Sequence, residues 1–416
     1  MRGGWARKAI GEIGEVTYGF TGKAVLEGSF RYVRITDIDS NGELTFDEIK
    51  YVDYFEEAEK FMLNDGDLLM ARTGATFAKV LHYENREPSI FASYLIRIKF
   101  NVEINNKLYW YFSKSLNYWD QANSLKSGAA QPHFNGAALK KLIFTYPESL
   151  PEQKAIVKIL DEAFAKIDQA KANIEKNIEN AKELFQSKLN EIFSQRNALS
   201  SSKGGEGDAL SLPKGWEEKS LGEICEGFQY GSSSKSVIEG ETPVLRMGNI
   251  QNFGINWLKL KFSVNENEIK KYLLKDGDVL FNRTNSPELV GKSAIYKNEM
   301  PAIFAGYLIR VRGKEGIIDN QYLNFYLNCS KTREYGYTVM SSSVNQANIN
   351  ASKLKDYKIR FPKIKKQIKI VQGLNQLFTE LEKIKVINSK KVQHIEDLKK
   401  SLLHKAFVGE LTLSEP

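Results

Sequence analysis

The sequence predicts a mixed α/β (α+β) protein made of two pseudo-repeats, separated by two long helices that form an antiparallel intramolecular coiled coil. Two observations predict this fold. The chain of 416 residues contains one unit twice, since Lys8–Ile13 returns as Lys219–Ile224 and Phe91–Arg97 returns as Phe304–Arg310. Each copy also ends in about 40 residues in which apolar side chains recur every three or four positions and no proline interrupts them.

The globular part of each copy is predicted to mix strands and helices. Short apolar runs such as Arg31–Thr36 and Pro243–Met247 alternate with Gly, Asn and Asp, which is typical of strands joined by turns. The aromatic stretches Tyr109–Phe112 and Tyr322–Tyr326 lie in longer segments that favour helices. The pattern does not distinguish parallel from antiparallel strand pairing.

The two long helices are predicted to pair with each other. Each has a narrow apolar stripe that needs a partner, and the other helix of the chain supplies one. Antiparallel pairing would relate the two globular domains by a pseudo-twofold axis, which is the symmetry of two half-sites on a DNA duplex. The stripe comprises Ile156, Leu160, Phe164, Ile167, Ile174, Ile178, Ala181, Phe185 and Leu189 in the first helix, and Val371, Leu374, Phe378, Leu381, Ile384, Ile395, Leu398 and Leu402 in the second.

These patterns divide the chain into five segments. The composition of Ser200–Gly207 predicts a flexible linker between the two copies. The segments are a first globular domain at 1–150, a first long helix at 151–195, a linker at 196–212, a second globular domain at 213–364 and a second long helix at 365–412.

Composition favours an anionic partner and a cytoplasmic location. The net charge of +8 is a mild basic excess. Cys225 and Cys329 are too few for a disulfide framework, and no run of about 18 apolar residues predicts a membrane helix. The four histidines are scattered and neither cysteine has a neighbour at ligand spacing, so no metal site is predicted.

Several short motifs, in this order inside a duplicated chain, together point to one family. They are Gly66–Leu69, Leu150–Val157, Leu212–Trp216, Gly277–Leu280 and Lys405–Leu411. With these motifs the chain resembles the specificity subunit of type I restriction-modification enzymes over essentially its full length.

The resemblance implies a non-catalytic subunit that recognises DNA. Each globular domain would be a target recognition domain for one half of a bipartite site in double-stranded DNA. The helices would set the unread spacer and dock two modification (methyltransferase) subunits, and restriction/motor subunits would join through the complex. No cofactor is expected on this chain, because S-adenosylmethionine, ATP and Mg are implied only for the partner subunits. No membrane partner is implied.

The residues themselves argue against catalysis by this chain alone. An adenine methyltransferase holds its flipped base with an Asn- or Asp-Pro-Pro-aromatic motif, and the sequence has no Pro-Pro pair. Val290–Ser293 resembles the end of a phosphate-binding loop, but Ser286 stands where the leading glycine belongs. Glu152 and Lys154 have the spacing of a nuclease metal site, yet they stand at a helix start, where a Glu is favoured by the helix dipole.

Three pairs of matched loops are candidates for contact with DNA. Direct readout uses Arg on guanine and Asn or Gln on adenine. The pairs are Tyr18–Lys23 with Tyr230–Lys235, Arg72–Gly74 with Asn282–Ser286, and Lys126–Gln131 with Ser341–Gln346. Tyr18 and Phe20 are equally explained as core aromatics. Arg72 and Arg283 follow apolar strands and should emerge at one edge of the sheet, where a structural ion pair is the alternative role.

We expect matched positions to hold phosphates and differing positions to read bases, which favours Asn282, Asn285 and Ser286 over Arg283 as base readers. The candidates in the first domain are Thr21, Lys23, Arg72, Thr73, Lys126, Gln131, His133 and Asn135. The candidates in the second domain are Ser233, Lys235, Asn282, Arg283, Thr284, Asn285, Ser286, Asn345, Gln346 and Asn350.

Two alternative functions remain open from the sequence. One is a two-headed protein-binding scaffold without DNA specificity, which the mild charge allows. The other is an enzyme that uses the paired carboxylates at Asp65 and Asp67 and at Asp276 and Asp278. These aspartates abut apolar strands, where shaping a turn is the simpler role.

Overall fold

A computed structural model describes residues 3–39, 41–84, 87–128, 132–194, 212–251, 253–343 and 346–411. It divides the chain into two compact units, Met1–Glu175 with Ser389–Pro416 and Lys176–Asn388. Each unit therefore combines one globular domain with parts of both long helices, whereas the sequence-based division treated the helices as separate segments. The linker predicted at 196–212 lies outside the described residues, except for Leu212.

The first unit contains nine strands and four short helices among its described residues. The strands are β1 (Trp5–Ala9), β2 (Gly14–Tyr18), β3 (Phe30–Val33), β4 (Tyr51–Val52), β5 (Leu68–Ala71), β6 (Val80–His82), β7 (Ser89–Phe91), β8 (Leu95–Phe100) and β9 (Ile143–Pro147). The helices are α1 (Ile10–Ile13), α2 (Asn106–Phe112), α3 (Leu116–Leu125) and α4 (Gly136–Lys141).

Its main sheet is antiparallel, with the strand order β2-β8-β5-β6. Central strand β5 is wholly buried because both of its faces are covered. Leu68 and Met70 point into one core cluster, and Leu69 and Ala71 point into another. A smaller sheet, β4-β3-β7, contains a parallel pair, so the unit mixes both kinds of pairing.

The second unit repeats this architecture. Its strands are β10 (Trp216–Ser220), β11 (Cys225–Tyr230), β12 (Thr242–Leu245), β13 (Ile250–Gln251), β14 (Gly254–Ile255), β15 (Phe262–Ser263), β16 (Val279–Asn282), β17 (Thr284–Asn285), β18 (Ser293–Ile295), β19 (Ile303–Phe304), β20 (Leu308–Gly313), β21 (Ser341–Ser343), β22 (Gln346–Asn348) and β23 (Lys358–Pro362). Its short helices are α6 (Leu221–Ile224), α7 (Glu266–Tyr272), α8 (Asn320–Asn328), α9 (Ser330–Val339) and α10 (Ala351–Lys355). The main sheet has the matching order β11-β20-β16-β18.

The two long helices are α5 (Leu150–Ser194) and α11 (Ile364–Val408), each of 45 residues. The second ends at Val408 instead of residue 412, because Gly409 adopts a left-handed conformation (φ +79°) that terminates a helix.

Pairing of the long helices is antiparallel, as predicted. In the first unit Lys399 Nζ lies 2.5 Å from Asp168 Oδ1 and Lys171 Nζ lies 2.9 Å from Glu396 Oε1, so residue numbers rise along one helix and fall along the other. The predicted stripe is only partly right. Ile384 and Leu398 of the predicted stripe are exposed, whereas Leu403 and Ala406, outside the predicted stripe, pack into the core of the globular domain.

A buried glutamine fixes the start of each long helix. Gln153 Oε1 accepts a hydrogen bond from Asn105 N at 2.7 Å, and its Nε2 donates to the carbonyl oxygens of Glu103 and Pro147. The same three bonds recur at Gln367, with Asp319, Ile317 and Pro362. Both glutamines are fully buried. Each therefore ties its long helix to the last strand and to the segment before a short helix of the same unit.

Candidate nucleic-acid interface

Each unit places an arginine and two tyrosines at one end of its main sheet. In the first unit Tyr18 ends β2, Arg72 follows β5 and Tyr94 precedes β8. Because β8 runs antiparallel to both neighbours, these three positions meet at the same end of the sheet. The emergence of Arg72 at the end of a sheet agrees with the expectation from its sequence position.

The arginine of the first unit is held by aromatic rings. Arg72 Cζ lies 5.3 Å from the ring centroid of Tyr18 and 5.2 Å from that of Tyr94, which are cation–π distances. Among the described residues no carboxylate pairs with Arg72, so the ion pair considered from the sequence is absent there. Tyr18 and Tyr94 are 41% and 52% exposed. We call Tyr18, Arg72 and Tyr94 the first Arg–Tyr cluster.

The second unit has the equivalent second Arg–Tyr cluster, formed by Tyr230, Arg283 and Tyr307. Arg283 Cζ lies 4.9 Å from the Tyr230 ring, and its Nε donates to Gly306 O at 2.9 Å. The backbone N of Arg283 donates to Tyr307 O at 3.0 Å, as Arg72 N does to Tyr94 O. The two units therefore present the same chemical groups on matched elements.

Both clusters are tied to a neighbouring helix and need a glycine beside them. Gly136 N donates to Tyr18 Oη at 2.8 Å, and Ala351 N donates to Tyr230 Oη at 2.9 Å. A Cβ on Gly19, next to Tyr18, would lie 2.3 Å from a carbonyl oxygen, so only glycine fits there. The candidate loops include Tyr18 and Tyr230, although the sequence explains Tyr18 equally well as a core aromatic, whereas Tyr94 and Tyr307 lie outside those loops. Their recurrence at equivalent places in both copies was the signal that could have found them.

In the first unit the loop carrying Lys126 and His133 lies beside Arg72. His133 forms a β-bridge with Thr73 and another with Ser127, with backbone N to O distances of 2.8 and 2.9 Å to Ser127. The side chains of Lys126 and His133 are exposed. Because Tyr18 of the first loop set also packs against Arg72, all three predicted loop sets meet in this unit.

In the second unit the equivalent segments form a small sheet with the order β17-β22-β21. Thr284 pairs with Asn348, whose Nδ2 donates to Thr284 Oγ1 at 2.9 Å. The sequence predicted loops here, and strands form because the two segments supply each other with backbone partners. This sheet is the main difference between the two units near the Arg–Tyr clusters.

Five of the candidate residues have structural roles, and three of these five are buried while two are exposed N-caps. Asn282 is buried in the core at the end of β16, and Thr73 and Thr284 are also buried. Asn135 and Asn350 are N-caps, whose side chains accept from Ala138 N and Lys353 N at 2.9 Å. The favoured role of Asn282 as a base reader is therefore not supported by its position.

The other candidates lie on the surface near the clusters or outside the described residues. Thr21, Lys23, Ser233, Lys235 and Gln346 are exposed. Asn285 and Ser286 are partly exposed; Asn285 Oδ1 accepts from Ser286 N at 2.9 Å, and Ser286 Oγ donates to Glu288 at 2.5 Å. Gln131 and Asn345 lie outside the described residues.

Asp67 and Asp278, two of the four carboxylates considered for an enzyme, shape turns, whereas Asp65 and Asp276 are exposed. Asp67 Oδ2 accepts from Asn64 N at 3.0 Å and lies 3.5 Å from Arg97 Nη1. Asp278 Oδ2 likewise accepts from Lys275 N at 2.8 Å, and Asp278 pairs with Arg310 and Arg312. Both aspartates are buried, and each lies within ion-pair distance of arginine.

The structure also bears on the phosphate-loop-like segment and on the two cysteines. Ser293 of the phosphate-loop-like segment begins β18, and no helix follows it there. Burial raises the pKa of the Cys225 thiol to about 12 and raises that of Cys329, which leaves both thiols unreactive. In the described part of the chain no three His, Cys, Asp or Glu side chains could hold a metal ion. None of the described helices is long and apolar enough to cross a membrane.

Comparison with known proteins places this geometry in a family. A model of the type I restriction modification DNA specificity domain matches residues 2–180 and again residues 213–389. The chain belongs to the type I restriction-modification DNA specificity family. The two matches coincide with the two copies found in the sequence, so each unit carries one specificity domain.

Two similar proteins are specificity subunits of type I restriction enzymes. The chain is 28% identical over 306 residues to the type I restriction enzyme StySPI specificity subunit of Salmonella potsdam. It is 26% identical over 306 residues to the EcoKI specificity subunit of Escherichia coli. Each match covers 73% of this chain and 65% of the relative, so the chain spans about two thirds of the length of these relatives.

Solved structures share the fold of this specificity-family chain. A chain from a study of complex assembly and conformational transition in a type I R-M system superposes with a TM-score of 0.75, at 18% identity and 99% coverage of both chains. The HsdS subunit from Thermoanaerobacter tengcongensis superposes with a TM-score of 0.56, at 19% identity, covering 99% of this chain and 98% of that one. The duplicated fold with two long helices, predicted from the sequence, is therefore confirmed.

Proposed function

We propose that this chain is the non-catalytic DNA-recognition subunit of a type I restriction-modification system, and that each unit reads one half of a bipartite double-stranded target. The observation that carries the proposal is the Arg–Tyr cluster, which occurs once in each unit. A guanidinium without a carboxylate partner, flanked by exposed tyrosines, suits the phosphate backbone, because arginine binds phosphate oxygens through two parallel hydrogen bonds.

We propose a division of work between shared and differing positions. Arg72 and Arg283 are shared, so they would hold phosphates and set the register of each unit on the duplex. His133 and Asn348 differ although both pair with a matched threonine, and they would contribute to the difference between the two half-sites. An Asn side chain can form two hydrogen bonds to adenine, whereas a His cannot form that pair.

The partners follow from the same proposal. Two modification subunits would dock on the chain and use S-adenosylmethionine to methylate adenine, while restriction and motor subunits would supply the reactions that need ATP and Mg. The long helices α5 and α11 would carry this docking and set the spacer between half-sites. A cytoplasmic location follows from the presence of the DNA target there.

The proposal is tested by replacing the two arginines. We expect Arg72→Ala and Arg283→Ala each to weaken binding of the assembled complex to its target by roughly tenfold, and to lower the slope of log affinity against log salt by about 1. Arg7→Ala, at an exposed position of β1, is the matched control and should leave both quantities unchanged. Fluorescence anisotropy with labelled duplex at several salt concentrations measures them.

A result that leaves affinity and salt slope unchanged in both arginine variants would contradict the proposed interface. DNA binding by a recognition subunit should depend on both salt concentration and DNA sequence. If the affinity depended on neither, the protein-binding scaffold would be favoured instead.

A further inference from the structure

The first unit contains an open groove between its globular domain and its helix pair. The groove has a volume of about 810 Å³ and its aromatic lining consists mainly of Trp110, Trp119 and Phe164. This volume lies in the range of pockets that enclose ligands. The groove lies away from the first Arg–Tyr cluster, none of whose residues line it.

In the second unit the equivalent place is filled by Phe253. Its ring centroid lies 5.4 Å from that of Phe185 and 5.5 Å from that of Phe378, on the two long helices. The residue that corresponds to Phe253 by conformation is Gly42, since both have a left-handed backbone (φ +64° and +75°). Both carbonyls accept from a helix side chain, Asn324 Nδ2 at 2.8 Å and Trp110 Nε1 at 3.1 Å. Gly42 has no side chain to fill the space, so the groove remains open.

The groove is also charged where the second unit is apolar, because its lining contains six lysines and six carboxylates. Matching positions of the two long helices are 214 residues apart in the sequence. Phe378 therefore corresponds to Phe164, and Lys399 corresponds to Phe185. Lys399 Nζ lies 5.2 Å from the Phe164 ring centroid, and Asp168 pairs with it. The second unit thus buries an aromatic cluster, whereas the first unit presents a ring and a cation.

A second cation in the groove, Lys114, has no ion-pair partner among the described residues and lies against aromatic rings. Lys114 Nζ lies 3.2 Å from the ring centroid of Trp110 and 5.9 Å from that of Tyr111. Burial, the largest cause, and the positive charge of Lys399 lower the pKa of Lys114 to about 8, although the carboxylates of Glu43, Asp39 and Asp168 oppose the shift. An anionic group beside Lys114 would compensate for this desolvated charge.

We propose that the groove binds an acidic, aromatic segment of a partner polypeptide, whose ring takes the place that Phe253 fills in the second unit and whose carboxylate pairs with Lys114. A polypeptide is favoured over a small anion because the matching site is filled by a side chain presented on a hairpin. The inference does not depend on DNA recognition, since it concerns a different surface of the unit.

The test uses the full chain and the peptide acetyl-Glu-(4-fluoro-Phe)-Glu-amide, observed by ¹⁹F NMR. Ala165 is exposed and lines the groove, so Ala165→Trp should block it and weaken binding at least tenfold. Ala170, exposed on the same helix but outside the groove lining, gives the control Ala170→Trp, which should bind as the wild type does. Lys114→Met should weaken binding at least fivefold, and so should replacement of both Glu residues of the peptide by Gln.

Three outcomes would overturn the inference. The first is equal binding by wild type and Ala165→Trp. The second is displacement of the peptide by inorganic phosphate at the same concentration, which would assign the groove to a small anion. The third is dimerisation of the wild type in sedimentation experiments that Ala165→Trp abolishes, which would assign it to a second copy of this chain.

Discussion

At the residue scale, the two units can be compared position by position, and Asn282 is an example. Both polar atoms of its side chain are buried without a hydrogen-bond partner, and the matched residue of the first unit, 211 positions earlier, is Ala71. Leaving a buried amide unsatisfied costs about 1–3 kcal/mol, which exceeds the cost of removing the few atoms beyond Cβ.

We therefore expect Asn282→Ala to raise the free energy of unfolding of the second unit by about 1 kcal/mol. Urea unfolding followed by tryptophan fluorescence measures the change. Asn328→Ala serves as the opposite control. Asn328 Nδ2 donates to Ser293, so its removal should lower the free energy of unfolding. Loss of stability or of DNA affinity in Asn282→Ala would show that the side chain has a role that its position does not reveal.

The roles of some individual residues could be predicted from the sequence, and the roles of others could not. Asn135 and Asn350 could have been predicted as N-caps, since each stands directly before a short helix with small residues. The burial of Thr73 could not, because Thr73 pairs in a β-bridge with His133, which is distant in the sequence. Contacts of this kind depend on the fold and leave no local pattern.

At the scale of elements, the buried glutamines Gln153 and Gln367 join each long helix to its globular domain. Replacing Gln153 by Leu would remove the partner of one backbone donor and two backbone acceptors, of which the Pro147 carbonyl is buried. We expect Gln153→Leu to lower the free energy of unfolding of the first unit by about 3–5 kcal/mol. Hydrogen exchange at the Asn105 amide should become faster at the same time.

Gln169→Leu is the matched control for this prediction. Gln169 is exposed on the same helix and bonds only to Asn173, so its replacement should change stability by less than about 0.5 kcal/mol. Equal effects of the two substitutions would mean that Gln153 does not fix the helix start.

The elements were predicted best where one physical pattern dominates. The long helices follow from apolar spacing alone, and their starts are correct to within one residue. Their buried faces were predicted less well, because the spacing rule assumes a single partner. In α11 the globular domain covers Leu403 and Ala406 in addition to the facing helix, which leaves Leu398 exposed.

At the scale of the whole molecule, both long helices begin in one unit and end in the other. If they set the spacer, a heptad added to each, after Ile178 and at the facing level of α11, lengthens both by about 10 Å. The gap between half-sites should then grow by about three base pairs, because DNA rises about 3.4 Å per pair.

Three pairs also rotate one half-site by roughly 100°, of which the heptad supplies little, so we expect weaker binding with a gap longer by about two to four pairs. Selection of bound sequences from a randomised duplex library measures the gap. Full affinity at the original gap would show that the helices do not determine the spacing.

The central claim is that each unit reads its own half of one bipartite target. It is tested most directly by mapping methylated adenines in DNA from cells that carry this chain with its modification subunit, and from cells in which residues 1–150 are replaced by the equivalent domain of a relative. We expect a single motif of two parts with a fixed gap, in which the replacement changes one part and leaves the other as it was. A contiguous motif, or a change in both parts, would contradict the claim.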